Sequence, residues 1–198
     1  QLAPVFITIL TCLLLVFLKW DALNLPHYWD EAFPYSYAIG FMTEHGPIIR
    51  SDAAPAIYTT GHPLLFYFLQ ASWNSIVGES LHWQRLFPLL LSVLSLMMTF
   101  LLGKKMFNSW IGTGAAVLLV CQNVFIAQSS FQLPEVLLTL LLLLSVYFLH
   151  QQRKWLFVIS ASLLLFTKEP AVVLLFIIFI YDMMILQASK KYSGRLKS

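Results

Sequence analysis

The sequence is short of charged residues. Asp, Glu, Lys and Arg make up only 11% of its 198 residues, and 59% are hydrophobic, whereas an average soluble domain carries about 25% charged residues. Cysteine is scarce as well, because only Cys12 and Cys121 occur, both in apolar segments. These shortages exclude an ordinary soluble domain and a disulfide or zinc framework, and they indicate a membrane protein.

Long apolar segments are the most prominent feature of the chain. A helix needs about 20 apolar residues to cross the hydrocarbon core of a bilayer. Three uncharged segments come close to this length (2–18, 86–103 and 110–127), and three weaker ones follow (133–149, 155–167 and 171–188). The sequence therefore predicts an all-α polytopic membrane protein with about six transmembrane helices. Lys19 and Trp20, after the first segment, predict an interfacial anchor rather than a signal-peptide cleavage site.

The connecting loops fall into a basic set and an acidic set. Positive residues collect on the cytoplasmic side of membrane proteins. One set of loops carries eight of the twelve basic residues: Lys104, Lys105, Arg153, Lys154, Lys190, Lys191, Arg195 and Lys197. The other set carries eight of the nine acidic residues: Asp21, Asp30, Glu31, Glu44, Asp52, Glu79, Glu135 and Glu169. We therefore expect the acidic loops to be exoplasmic, and the net charge of +3 indicates topology rather than nucleic-acid binding.

Residues 21–85 form one long exoplasmic loop between the first two strong segments. The loop is rich in Trp, Tyr and Phe, so it should fold against the membrane rather than remain disordered. Helical spacing of apolar residues predicts an interfacial helix from Glu31 to His45. A second interfacial helix is predicted from His62 to Gly78, and residues 50–61 between the two are predicted to be irregular.

Two adjacent carboxylates, Asp30 and Glu31, stand at the head of the first interfacial helix. Repulsion between them can raise the pKa of one carboxylate, which suits proton transfer. The competing interpretation is helix capping, with Asp30 at the N-cap and Glu31 favoured by the helix dipole. These residues alone leave both interpretations open.

Ionisable residues also stand at the exoplasmic ends of other segments. A charge at a membrane span is costly unless it faces a cavity or a partner. Alternation of the spans brings Asp30, His62, Arg85, Glu135 and Lys168 to the same side, as a membrane active site requires. The alternative is interfacial snorkelling by Arg85 and Lys168, with Glu135 capping its helix.

Several short motifs follow one another along the chain in an order shared with a known group of enzymes. Residues 28–32 (Tyr-Trp-Asp-Glu-Ala) resemble a first-loop acidic motif, and residues 61–67 (Gly-His-Pro-Leu-Leu-Phe-Tyr) resemble a His-Pro-Pro-Leu-Tyr-Tyr signature. Residues 78–88, 127–135 and 167–170 are similar to the second-span entry, the second exoplasmic loop and a Thr-Lys turn. Together they resemble the GT-C superfamily of membrane glycosyltransferases, in particular its protein O-mannosyltransferase and aminoarabinose-transferase-like branch. Glu135 stands where that branch usually has aspartate, and Leu64 replaces the second proline of the signature.

The resemblance implies a fold and a reaction. Residues 1–198 would be the N-terminal part of a GT-C-like transmembrane catalytic module, with residues 21–85 as its first exoplasmic loop. The enzyme would transfer a sugar, with inversion, from a polyprenyl-phosphate-linked donor to an acceptor lipid, glycan or protein. The reaction would occur on the exoplasmic face, and the enzyme would lie in a bacterial plasma membrane.

The resemblance also implies residue roles. Asp30 would be the general base, and Glu31 would tune or position it. His62, Arg85, Glu135 and Lys168 would bind substrate. No cofactor is implied with certainty, but a divalent metal is possible, and Asp30, Glu31 and Glu135 are the oxygen ligands available for it.

Two other classes of function compete with the enzyme. A transporter would place its site near the bilayer midplane on broken helices within inverted repeats, and the sequence contains no such repeat. A non-catalytic membrane subunit would not need Asp30 or Lys168, so replacing either residue would leave its function unchanged.

Overall fold

The chain folds into α-helices. In the computed structural model, residues 2–50, 53–59 and 62–195 are described, without the side chains of residues 182 and 185–195. This part contains α1 (Leu2–Lys19), α2 (Tyr35–His45), α3 (Ala56–Thr59), α4 (Leu65–Val77), α5 (Leu81–Met106), α6 (Ser109–Val120), α7 (Asn123–Gln128), α8 (Glu135–His150), α9 (Lys154–Leu165) and α10 (Ala171–Arg195). Two short 3-10 turns, Asp21–Asn24 and Trp29–Glu31, precede α2. No strand occurs in these ranges, so the predicted all-α fold is confirmed.

Two helical stretches of the described chain are long and apolar enough to cross a membrane. They are Leu2–Asn24, which joins α1 to the turn after it, and Leu81–Met106, which is α5. The apolar helices α6, α8, α9 and the first part of α10 are shorter. The basic residues predicted on the cytoplasmic side at positions 190, 191, 195 and 197 have side chains outside the described part.

The third strong segment is not one helix, contrary to the prediction for residues 110–127. α6 ends at Val120, and α7 begins at Asn123. Gln122 between them has an extended backbone with φ −75° and ψ 119°. Asparagine is a poor helix former because its side chain competes for backbone hydrogen bonds, so the polar pair Gln122-Asn123 interrupts the apolar run.

Small residues and hydroxyl groups join the helices. α5 and α6 approach so closely that a Cβ atom on Gly103 would lie 2.7 Å from the Cα atom of Gly112. The hydroxyls of Thr8 and Thr113 are 3.1 Å apart, which joins α1 to α6. Such contacts between small and hydroxyl-bearing residues are typical of helix packing in membranes.

The long loop folds onto the helices through α2 and α4. The buried side chains of α2 and α4 share one apolar core with α8: Tyr35, Ala38, Ile39, Met42, Leu65, Phe66, Tyr67, Ala71, Val136, Leu137, Leu140 and Leu141. α2 and α4 end as predicted, at Gly46 and Gly78, whose φ angles of +94° and +96° favour glycine. α2 starts later than predicted because the turn at 29–31 precedes it.

One local prediction for this region is wrong. Residues 50–61 are not wholly irregular, since they contain the one-turn helix α3; residues 51, 52, 60 and 61 lie outside the described part. The interfacial role of Lys19 and Trp20 stays a prediction, and the structure shows where the Lys19 side chain lies. It is buried, its Nζ donates to the Ala127 carbonyl at 3.4 Å, and it lies 5.8 Å from the ring centre of Phe131.

Candidate active site

A buried ion pair joins Glu31 to Arg85. Both side chains are 0% exposed, and Nη2 of Arg85 lies 2.5 Å from Oε2 of Glu31. Arg85 enters from the start of α5, and Glu31 ends the 3-10 turn of the long loop. The guanidinium also donates to the carbonyls of Ala22 and Pro26, at 3.3 and 2.8 Å. Arg85 therefore fastens the beginning of the long loop to α5.

Glu31 connects the long loop at residues 21–85 to the loop that precedes α8. Its Oε1 accepts the backbone N–H of Gln132 at 3.0 Å, and its Oε2 also accepts the backbone N–H of Tyr28 at 3.2 Å. The Gln132 side chain in turn donates to Oε1 of Gln84 at 2.7 Å. Both oxygens of Glu31 thus accept hydrogen bonds from protein donors.

Asp30 is held in place by its neighbours while its own side chain is exposed and makes no hydrogen bond to the described residues. Trp29, directly before it, has a φ angle of +56°, a left-handed conformation that costs about 1–3 kcal/mol in a residue other than glycine. The capping interpretation of Asp30 is wrong, because the residue before α2 is Pro34 and the residue before the turn is Tyr28. Asp30 is an open carboxylate on a fixed turn.

A second ionic cluster lies where α4, α8 and α10 begin. Lys168, in the turn between α9 and α10, pairs with Glu135, the first residue of α8, through Nζ and Oε1. The Lys168 side chain is 23% exposed and that of Glu135 is 30% exposed. His62, shortly before α4, contacts Oε1 of Glu169 through Nδ1 at 2.7 Å. The backbone N–H of Leu65 donates to the Phe166 carbonyl at 3.0 Å, so the His62 segment is fastened beside Lys168.

Three stacked rings form the wall beside these ion pairs. The buried Tyr35 ring lies 5.3 Å from the Tyr67 ring and 6.4 Å from the His62 ring, measured between centroids, with interplanar angles of 14° and 2°. Burial raises the pKa of Tyr35, Lys168 opposes this rise, and Glu135 and Asp30 add to it. Asp30 and the Lys168–Glu135 pair therefore all act electrostatically on the same tyrosine.

The charges of the cluster stabilise one another. Burial lowers the pKa of Lys168, but the hydrogen bond and charge of Glu135 outweigh burial and leave this pKa above its usual value. Burial likewise raises the pKa of Glu169, and the hydrogen bond from His62 outweighs it, so this pKa lies below its usual value. Lys168 stays cationic and Glu169 stays anionic around neutral pH.

The structure thus separates the six predicted site residues into two groups. His62 stacks on Tyr35, and Asp30, Glu135 and Lys168 act on Tyr35 electrostatically, whereas Glu31 and Arg85 pair with each other in the interior. Within the described ranges, no group of three or more His, Cys, Asp or Glu side chains is arranged to hold a metal ion. Asp30, Glu31 and Glu135 therefore do not form the metal site that their sequence allowed.

Sequence reasoning missed four residues of the site. Tyr35 and Tyr67 supply the stacked wall, Glu169 pairs with His62, and Gln132 binds Glu31 through its backbone. Tyr67 ends the signature motif at 61–67, and Glu169 follows Lys168 in the motif at 167–170. Both residues could therefore have been found from the motifs that contain them. Tyr35 and Gln132 had none, because their roles depend on contacts with distant parts of the chain.

The fold and the site define an all-α membrane protein with an open carboxylate and an ionic cluster beside its helix ends. The family model of dolichyl-phosphate-mannose-protein mannosyltransferases matches residues 5–197. The chain belongs to this family, which is a GT-C family of glycosyltransferases and integral membrane proteins, and the predicted resemblance is confirmed. Neither the curated proteins nor the solved structures give a match.

Proposed function

We propose that this protein transfers a sugar from a polyprenyl-phosphate donor to a hydroxyl-bearing acceptor on the exoplasmic face of the membrane, with inversion at the anomeric carbon. Membership of the mannosyltransferase family supports glycosyl transfer as the class of reaction. The observation that carries the finer proposal is that His62 stacks on Tyr35 while Asp30, Glu135 and Lys168 act on the same ring electrostatically. The arrangement combines a carboxylate free to accept a proton with a lysine cation and an imidazole that can bind a phosphate.

Asp30 is the proposed general base. The acceptor oxygen attacks the anomeric carbon, and its proton passes to the Asp30 carboxylate as the new C–O bond forms. A general base typically contributes about 10²–10⁴-fold to the rate. Asp30 suits this role because its side chain is exposed and makes no hydrogen bond to the described residues, while the turn that carries it is fixed.

Lys168 and His62 are the proposed binding groups for the carrier phosphate. As the bond from the anomeric carbon to the phosphate oxygen breaks, the oxygen keeps the electron pair and the carrier phosphate gains negative charge. A preorganised cation stabilises that charge. Lys168 uses one N–H on Glu135 and has two more for phosphate oxygens. Glu135 orients the sugar or the acceptor.

Glu31 and Arg85 serve as positioning residues in this proposal. Arg85 is fully buried and its guanidinium is directed at Glu31, Ala22 and Pro26, so a phosphate would have to displace protein acceptors to reach it. Glu31 holds the turn on which Asp30 stands. The Glu31–Arg85 pair therefore affects the reaction by positioning Asp30.

Lys168→Met tests the proposal in the intact protein, reconstituted in vesicles with a radiolabelled polyprenyl-phosphate mannose donor. We expect transfer to fall about 10²–10³-fold, as for other groups that stabilise developing charge, with partial activity in Lys168→Arg. Lys154→Met is the matched control, because Lys154 is exposed at the opposite end of α9. Equal transfer by the Lys168→Met and Lys154→Met variants would contradict a role for Lys168 in phosphate binding.

A further inference from the structure

Two buried polar atoms beside the ionic cluster have no hydrogen-bond partner. They are the hydroxyl of Tyr67, whose side chain is 1% exposed, and Oε2 of Glu135. Buried polar atoms in folded proteins nearly always have partners, so each exception calls for an explanation. One of these atoms is a donor and the other is an acceptor. Tyr67 stacks on Tyr35 and shares a core with Val136 and Leu137, the residues that follow Glu135 in α8.

Both atoms are fixed by their surroundings. The Tyr67 ring stacks on Tyr35 and lies in the core between α2, α4 and α8. The Tyr35 hydroxyl lies close enough to interact with the Tyr67 hydroxyl and to raise its pKa, but this contact falls short of hydrogen-bond geometry and leaves the Tyr67 hydroxyl unsatisfied. The other oxygen of Glu135, Oε1, is held by Lys168, which sets the direction of Oε2.

The protonation states of the two groups make them complementary to a hydroxyl. Burial, then the charge of Tyr35 and the interaction between its hydroxyl and that of Tyr67, and then the charges of Glu169 and Glu135 raise the pKa of Tyr67 far above its usual value. The phenol therefore remains a donor across the working pH range, and Glu135, which pairs with Lys168, offers Oε2 as an acceptor. A hydroxyl can accept one hydrogen bond and donate another, so it satisfies both atoms at once.

We propose that the Tyr67 hydroxyl and Oε2 of Glu135 together recognise one hydroxyl of the transferred sugar, which makes Tyr67 a specificity-determining residue. This inference rests on the proposed function. The anomeric carbon is bonded directly to the carrier phosphate, so a phosphate at Lys168 brings the sugar hydroxyls next to Glu135. The Lys168–Glu135 pair is partly exposed, and this is the side from which a sugar would approach. A water molecule has the same hydrogen-bonding chemistry and is the other source that the experiment must distinguish.

A site built around a substrate hydroxyl discriminates strongly against an analogue that lacks it. The analogue leaves the buried donor and acceptor unpaired, and such sites reach about 10⁴–10⁵-fold discrimination at most. The Tyr67→Phe variant lacks the hydrogen-bond donor, whichever sugar is bound. The penalty for removing the matching sugar hydroxyl should therefore shrink, whereas penalties for the other hydroxyls should stay the same.

The experiment compares kcat/KM for the parent polyprenyl-phosphate sugar with a series of monodeoxy donors, in the intact wild-type protein and in Tyr67→Phe. For each deoxy donor, discrimination is the kcat/KM of the parent donor divided by that of the deoxy donor. We expect this ratio to be about 10² or more for one deoxy donor in wild type, and to be at least tenfold smaller for that donor in Tyr67→Phe. Tyr37→Phe, an exposed tyrosine of α2, is the control and should preserve all ratios. Glu135→Gln converts the acceptor into a donor and should reduce the same ratio, which gives a second variant if Tyr67→Phe does not fold.

The outcomes separate this inference from the proposed function. If wild type transfers sugar but every ratio is the same in wild type, Tyr67→Phe and Glu135→Gln, the two atoms hold only water and the inference is overturned while the proposed function stands. If wild type transfers no sugar from any donor of this class, the proposed function fails and the inference fails with it.

Discussion

Removing one partner of the Glu31–Arg85 pair should strongly destabilise the protein. In Glu31→Ala, a guanidinium that is 0% exposed loses its counter-charge and keeps only the carbonyls of Ala22 and Pro26. Breaking a buried pair in this way costs about 3–5 kcal/mol. For a chain of about this length, 1 kcal/mol corresponds to about 2–4 °C in Tm, so we expect a decrease of about 6–20 °C.

The double variant Glu31→Met/Arg85→Met tests whether the loss of stability comes from the unpaired buried charge. Replacing both charges with apolar side chains leaves no uncompensated charge, and such replacements are often neutral or stabilising. The double variant should therefore be more stable than Glu31→Ala, although the Gln132 amide loses its acceptor. Glu79→Ala is the control, because Glu79 is exposed in the same loop and surface changes stay within about 0.5 kcal/mol.

Thermal unfolding of the intact protein in nanodiscs, followed by intrinsic fluorescence, measures these differences. The reasoning would be refuted if Glu31→Ala unfolded within 2 °C of Glu79→Ala, about the shift for 1 kcal/mol or less. It would equally be refuted if the double variant were no more stable than Glu31→Ala, because the loss would then not come from an unpaired buried charge.

Three further predictions concern pH and helix packing. The pKa of Lys168 is raised in the folded protein. Charged Lys168 therefore contributes its full stability below the pKa of an unfolded lysine, about 10.4, and loses this contribution as pH rises through the raised folded pKa. The Tm difference between wild type and Lys168→Met should shrink over the same pH range. The pKa of Glu169 is lowered, so its contribution is present above about pH 4.3 and is lost as pH falls through the lowered pKa; Glu169→Gln should show a weaker loss of Tm on acidification than wild type. Gly112→Ala would push its Cβ atom against the carbonyl of Phe100 and should destabilise the protein by about 1–3 kcal/mol, whereas Gly114→Ala meets nothing within 4 Å and should not. Equal Tm values for the two glycine variants would contradict the close contact between α5 and α6.

The sequence was sufficient for features that depend on local pattern. Apolar periodicity and a following glycine identify α2 and α4 and where they end, since a left-handed backbone at Gly46 and Gly78 is a local preference. The break between α6 and α7 also has a local cause, the polar pair Gln122-Asn123. Mean hydropathy does not reveal this break, because it is averaged over a segment much longer than two residues. A window long enough to detect a membrane span is too long to detect a two-residue interruption.

The site was less predictable because its chemistry depends on tertiary contacts. Asp30 and Glu31 are neighbours in sequence, yet one is exposed and the other is buried against Arg85, 54 positions along the chain. The Asp30-Glu31 dipeptide itself does not determine which carboxylate pairs with the guanidinium of Arg85. Gln132 binds Glu31 through its backbone, so its side chain carried no signal of the contact. The contacts of Lys19 with the Ala127 carbonyl and the Phe131 ring likewise depend on residues distant in the sequence.

The most direct test of the central claim is sugar transfer by Asp30→Asn, measured from a polyprenyl-phosphate donor by the intact protein at equal folded abundance. Asparagine keeps the size of the side chain but cannot accept the acceptor proton, so transfer should fall about 10²–10⁴-fold with little change in Tm. Glu44→Gln, which neutralises an exposed carboxylate of α2, should retain wild-type transfer. Undiminished transfer by a folded Asp30→Asn protein would contradict the account and assign the general base to another group.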